Sequence, residues 1–177
     1  MKIGKVCTRF CITMSNIQER EGFPVFAHET NRYFMLDLDK QTSLEEVRKI
    51  AYEIGLKYGL GNCLIVHSSN AKQFMLDLEP LQNYNLIYGK EVPWSYQQQV
   101  LKELDKSGII GDIRYIQFRN QEKSSTLRVS PKNEDKLSGN PIAFIEITGE
   151  NEGIKEHLMM LKIGKLVEQD LKDYGLL

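Results

Sequence analysis

Two carboxylates stand two residues apart in Met35-Leu-Asp-Leu-Asp39. On a β-strand, residues i and i+2 share a face, about 7 Å apart by the strand rise. Asp37 and Asp39 would then project together while Leu36 and Leu38 turn into the core. Two neighbouring carboxylates repel unless water or a cation lies between them. Mg²⁺ or Mn²⁺ suits that place, because such ions take carboxylate oxygens and substrate phosphates together. A metal-bound carboxylate pair can activate an attacking oxygen and steady a leaving one in phosphoryl transfer. The plainer alternative is a solvated strand end, where acids merely discourage edge pairing. The pattern has an echo: Phe34-Met-Leu-Asp-Leu38 recurs as Phe74-Met-Leu-Asp-Leu78, followed by Glu79. Asp77 and Glu79 are therefore a second same-face pair, and spacing alone does not choose between the two.

Other residues with chemistry lie downstream. His67 precedes the turn Ser68-Ser-Asn-Ala71, and Lys72 follows it. Asp112 follows Gly111, in a position equally suited to turn formation. Residues 114–136 hold six basic side chains, Arg114, Arg119, Lys123, Arg128, Lys132 and Lys136, against three acids, a local net of +3 in a chain whose total is −1. A basic stretch beside an acidic centre suits a polyanion lying across both. Tyr115 and Phe118 interleave with the arginines and would stack bases if exposed, or fill the core if they point inward. Cys7 and Cys11, with Cys63, His28 or His67, include a spacing that zinc sites use, but no second close pair follows; buried free thiols are the simpler reading.

These residues need a scaffold, and 177 residues with 41% hydrophobic and 27% charged composition supply one. That composition excludes a collagen-like or wholly disordered chain. The apolar runs are too short to span a membrane. The N-terminal segment does not read as a signal peptide, and three cysteines fit a reducing, cytoplasmic setting better than a disulfide framework.

Alternation and turn residues predict a hairpin over 23–39. A helix follows over 43–58, capped by Thr42 with Glu45 and closed by Gly59 and Gly61. Cys63–His67 and Gln73–Leu78 read as a second hairpin. A helix over Tyr96–Lys106 starts at Ser95 and Gln98, and Ile109–Phe118 reads as strand. Asn120–Ser125 is a loop, Thr126–Ser130 and Pro141–Thr148 are strands, and Ile154–Tyr174 is the longest helix. The C-terminal segment 150–177 has a net charge of −2 and reads as a packing helix or oligomer contact. The expected class is α+β: one domain over 1–177, a mixed or antiparallel sheet with RRM-like hairpin–helix units, and helices packed on it.

The order of these features resembles the catalytic core of the archaeo-eukaryotic primase and primase-polymerase superfamily over about residues 25–132. An apolar strand ends in Asp-x-Asp. A helix of about four turns follows, then a strand running into Val66-His-Ser-Ser-Asn-Ala-Lys72. A second helix leads to Gly111-Asp112, and Ser125-Thr-Leu-Arg-Val-Ser-Pro-Lys132 comes last. The resemblance implies a metal-dependent nucleotidyltransferase acting on a nucleic-acid template, DNA or RNA, in replication. Asp37, Asp39 and Asp112 would be its catalytic carboxylates and hold Mg²⁺ or Mn²⁺. His67, Ser68, Ser69, Lys72, Arg114, Arg128 and Lys132 would contact nucleoside triphosphate or nucleic acid. A helicase or a second primase subunit would be a partner. The family's histidine follows its Ser-rich turn; here Gln73 and Phe74 occupy that place. The same features therefore also fit a non-catalytic nucleic-acid-binding module of that fold. A third reading is an unrelated α+β interaction protein.

Overall fold

In the computed structural model, residues 8–14, 24–69, 82–110, 113–129 and 140–173 are described. In chain order the elements are β1 (Thr8–Met14), β2 (Pro24–Thr30), β3 (Tyr33–Thr42), α1 (Leu44–Tyr58), β4 (Cys63–Ser69) and β5 (Gln82–Glu91). Then come α2 (Trp94–Lys106), α3 (Ile113–Glu122), β6 (Ser125–Arg128), β7 (Pro141–Ile145) and α4 (Glu152–Asp173). The class is α+β, and all strand pairs are antiparallel.

Strict alternation in β3, β4 and β5 sorts their side chains onto two faces. Leu36, Leu86 and Ile65 form one rung across the sheet, and Met35, Ile87 and Leu64 form the next on the opposite face. The first face packs against Val47, Ala51 and Ile54 of α1 and Val100, Leu101 and Leu104 of α2. The second packs against Leu127 of β6 and Ile154 of α4. This four-stranded sheet runs β3-β5-β4-β7, and a three-stranded sheet runs β1-β2-β6. Strands β3 and β4, joined through α1, flank β5, which gives a split β-α-β arrangement.

Local chemistry explains the helix ends. α1 starts one residue later than its capping box was expected: Ser43 Oγ accepts the Glu46 N–H at 3.2 Å, and Thr42 Oγ1 donates to the Glu46 carboxylate. Gly59 ends it with φ 58°, a left-handed cap that costs glycine little. α2 begins after Pro93, without a side-chain cap from Ser95. At Gly153 the start of α4 comes so close to β5 that a Cβ there would lie 2.4 Å from the Tyr88 carbonyl oxygen. Among the described residues no helix is long and apolar enough to cross a membrane.

Three expectations are corrected. β2 and β3 both form but do not pair: β2 lies between β1 and β6, and β3 pairs with β5. Strand propensity is local, whereas partner choice follows the stacking of apolar rungs. β4 takes β5 on one side and, over Cys63–Val66, β7 on the other, so both of its sides are used there; the segment expected at Gln73–Leu78 lies outside the described residues. Residues 113–122 are helical, with Ile116 and Arg119 buried three apart on one face of α3, and Asn120 Oδ1 accepting from Gln98 Nε2 at 3.0 Å.

Candidate functional site

The face that carries Met35, Ile87 and Leu64 turns polar toward one end. Two residues along, the rung is Asp37, Asn85 and Val66. A register shift falls between His67 and Ser69 on β4, and bulges of this kind re-aim a side chain. Ser68 thereby reaches β3: its Oγ donates to Asp37 Oδ1 at 3.1 Å, joining residues 31 apart in sequence. Asp37 and Ser68 are both half-buried.

Beside them stand two residues whose role was not read from sequence. Asn85 is directly opposite Asp37 and only 4% exposed, and Asn83 follows two residues away on β5. The carboxamide oxygens of both are buried without a hydrogen-bond partner. An unsatisfied buried acceptor costs about 1–3 kcal/mol, and asparagine is disfavoured in strands to begin with. Two such residues in an interior strand are a local cost that packing does not explain. The available signal was the alternation Asn83-Tyr-Asn85 leading into the apolar Leu86-Ile87.

The other expected site residues are distributed as follows. His67 shares a rung with Tyr84 and Leu38, which places it on the α1 and α2 face, opposite Asp37. Its ring stacks on Tyr84 with centroids 6.4 Å apart. Asp39 lies in β3 within the register shift between Leu38 and Thr42. Ser69 ends β4, Arg128 pairs with Ala27 in β6, and Arg114 lies in the first turn of α3. Lys72, Asp112 and Lys132 lie outside the described residues, as do Asp77 and Glu79. Arg119, counted in the basic stretch, is instead a core residue at 1% exposure. It donates to the Met35 carbonyl and lies 5.8 Å from the rings of both Phe34 and Trp94. Cys63 is a free thiol sealed in the core, its pKa pushed far up by burial. Among the described residues no group of three or more His, Cys, Asp or Glu side chains is arranged to hold a metal ion.

A second polar cluster ties α4 to β2. His157 Nδ1 and His28 Nδ1 are 3.0 Å apart, His28 Nε2 is 3.0 Å from Glu156 Oε1, and Glu156 Oε2 is 3.5 Å from Arg32. Arg32 in turn donates to Glu91 at 2.7 Å and holds its carboxyl below the usual range. Both histidines are fully buried. Burial, then the nearby His28, push His157 down to about 3.

No family model, curated protein or solved structure matches the chain.

The cluster around Asp37 and Ser68 has a chemistry of its own. Its donor atoms are all oxygen: the Asp37 carboxylate, the Ser68 hydroxyl and the carbonyls of Asn85 and Asn83. That set fits hard divalent cations, which take carboxylate, amide carbonyl and water oxygens. It lacks the imidazole and thiolate ligands that zinc favours.

Proposed function

We propose that this protein is a primase-polymerase-like, metal-dependent nucleotidyltransferase acting on a nucleic-acid template. The observation that carries the reading is the bond from Ser68 to Asp37. It joins the Asp-x-Asp strand to the Ser-rich segment, the two motifs that the resemblance assigns to one site. The split β-α-β-β-α order around them supports the same reading.

In this account Asp37, Asp39 and Asp112 hold Mg²⁺ or Mn²⁺. A bound cation would lower the pKa of the attacking hydroxyl and offset charge on the leaving pyrophosphate. The hydroxyl oxygen bonds to the α-phosphorus of a nucleoside triphosphate, the α–β bridging P–O bond breaks, and the hydroxyl proton passes to solvent. Ser68 orients the Asp37 carboxylate by donating to Oδ1. Lys72, Arg114, Arg128 and Lys132 neutralise phosphate charge. A helicase or second subunit would deliver the template.

Template-directed incorporation with Mg²⁺ and with Mn²⁺ tests this directly. The wild type is expected to extend a primed or unprimed template, and Asp37→Asn combined with Asp39→Asn to abolish extension. No incorporation by the wild type under any of these conditions overturns the proposal. A second reading, a nucleic-acid-binding module without catalysis, is favoured by the place of His67 on the opposite face from Asp37. It predicts salt-dependent nucleic-acid binding that is unchanged by Asp37→Asn.

A further inference from the structure

The four-stranded sheet ends at β7, and among the described residues no strand pairs with its far side. The backbone bonds show what that side presents. In an antiparallel ladder the N–H and C=O of one residue point the same way, and successive residues alternate. Gly89 N–H donates to the Asn62 carbonyl at 2.8 Å, so Leu64 and Val66 bond toward β5, and Cys63, Ile65 and His67 toward β7. The bond from His67 N–H to the Asn140 carbonyl, 3.1 Å, agrees. Ala143 and Ile145, opposite Ile65 and Cys63, therefore bond back to β4. Phe144 between them turns its N–H and C=O outward. Its side chain, on the α4 face opposite Leu64, is 51% exposed. Edge strands are commonly blunted by charge, yet Pro141-Ile-Ala-Phe-Ile145 carries none, and its proline stands at the first position, away from Phe144. Exposed apolar side chains flank this edge. Leu158 lies two turns before Lys165 on the same side of α4. On the other face Gly55 of α1 packs on Ile147, just past β7, and the exposed Tyr52 and Leu56 come next around that helix.

We propose that β7 is a dimerisation edge: it pairs antiparallel with β7 of a second copy about a two-fold axis at Phe144, joining two four-stranded sheets into one. Each Phe144 N–H then donates to the other copy's Phe144 carbonyl, the bonding pattern of one antiparallel rung. Charge favours this occupant and this direction. Lys165 Nζ lies 3.2 Å from Asn140 Oδ1, so a cation marks the N-terminal end of β7. The exposed Glu146 marks the other end. Antiparallel pairing turns each Lys165 toward the other copy's Glu146, whereas parallel pairing sets like charge against like. A five-residue edge is short, so the apolar side chains beside it must supply much of the contact. Phe144 and Leu158 do so on one face, and Tyr52 and Leu56 on the other. β3, which carries Asp37, is the opposite edge of the sheet, so the pairing does not cover it.

The test is sedimentation equilibrium of the full chain over a concentration series. The wild type is expected to show a monomer–dimer equilibrium, and Phe144→Lys to weaken it about tenfold or more. Lys165→Glu should weaken it as well, by facing two carboxylates across the axis, and Lys165→Glu combined with Glu146→Lys should restore it. A wild type that stays monomeric at every concentration overturns the proposal. So does a dimer of unchanged affinity in Phe144→Lys, which would place the interface elsewhere. If Phe144→Lys does not fold, the charge pair decides, since both positions are exposed. No effect of Lys165→Glu, or an effect that the double exchange does not reverse, contradicts the antiparallel pairing.

Discussion

At the seam between β2 and α4, His157, His28, Glu156, Arg32 and Glu91 run as a chain in which donors face acceptors. On the four-stranded sheet, Asn85 and Asn83 set acceptors beside the Asp37 carboxylate. Both clusters bury polar atoms, yet only the first is largely balanced from within. Its orphans are Arg32 Nε and His157 Nε2, both on side chains bonded through another nitrogen. The difference teaches how to read a buried polar group. A run of alternating donors and acceptors serves the fold, because each partner repays the desolvation of the next. The Asn85 and Asn83 oxygens, buried without a donor, are instead a cost that their own surroundings leave unrepaid.

That contrast makes predictions of opposite sign. The largest effect is expected at Glu156. Glu156→Leu leaves the buried His28 without its carboxylate and Arg32 with Glu91 alone, and should cost about 2–4 kcal/mol in urea unfolding. A loss below about 1 kcal/mol would break the claim that this chain is structural.

Acid should weaken the same seam. His157 is held neutral in the fold, with a pKa near 3 against 6.5 for the free side chain. Between those values the unfolded chain binds more protons. The contribution is fully present above about pH 6.5 and lost as pH falls toward 3. The slope approaches about 1.4 kcal/mol per pH unit. Unfolding measured at several pH values should show this limb, and His157→Gln should flatten it.

At the other cluster the sign reverses. Asn85→Leu removes an unsatisfied acceptor and should stabilise the metal-free protein by about 1 kcal/mol. A loss of similar size would show that Asn85 serves packing, and would erase the distinction between the clusters. The smallest effect is an expected silence. Cys63, buried with its pKa raised, should resist alkylation in the native protein and react fully in urea, as read by peptide mass spectrometry. Rapid native labelling would show that the sheet opens at β4.

Much of this was legible in the residues. Alternation in Phe34-Met-Leu-Asp-Leu38 and Cys63-Leu-Ile-Val-His67 identified β3 and β4, and helical spacing with Gly59 identified α1. Asp37 and Ser68 were both visible as candidates, and the fold brings them into contact. β5 was not visible, because Asn83, Asn85 and Gly89 dilute its strand signal. α3 read as a strand because Ile113 and Tyr115 mimic a period of two, while its burial depends on Arg119, a charged residue that does not announce itself as core. Asn85 carries no charge, and its meaning arises only from pairing with Asp37 across the sheet. Pairing is tertiary, so periodicity does not encode it.

The most direct test of the central claim, a metal-dependent site on Asp37, is a crystal of the protein soaked with Mn²⁺ and a nucleoside triphosphate. The account predicts an anomalous peak at Asp37, on the face shared with Ser68 and Asn85, with triphosphate oxygens completing its coordination. A peak at Asp77 and Glu79 instead, or none at Asp37, would contradict it.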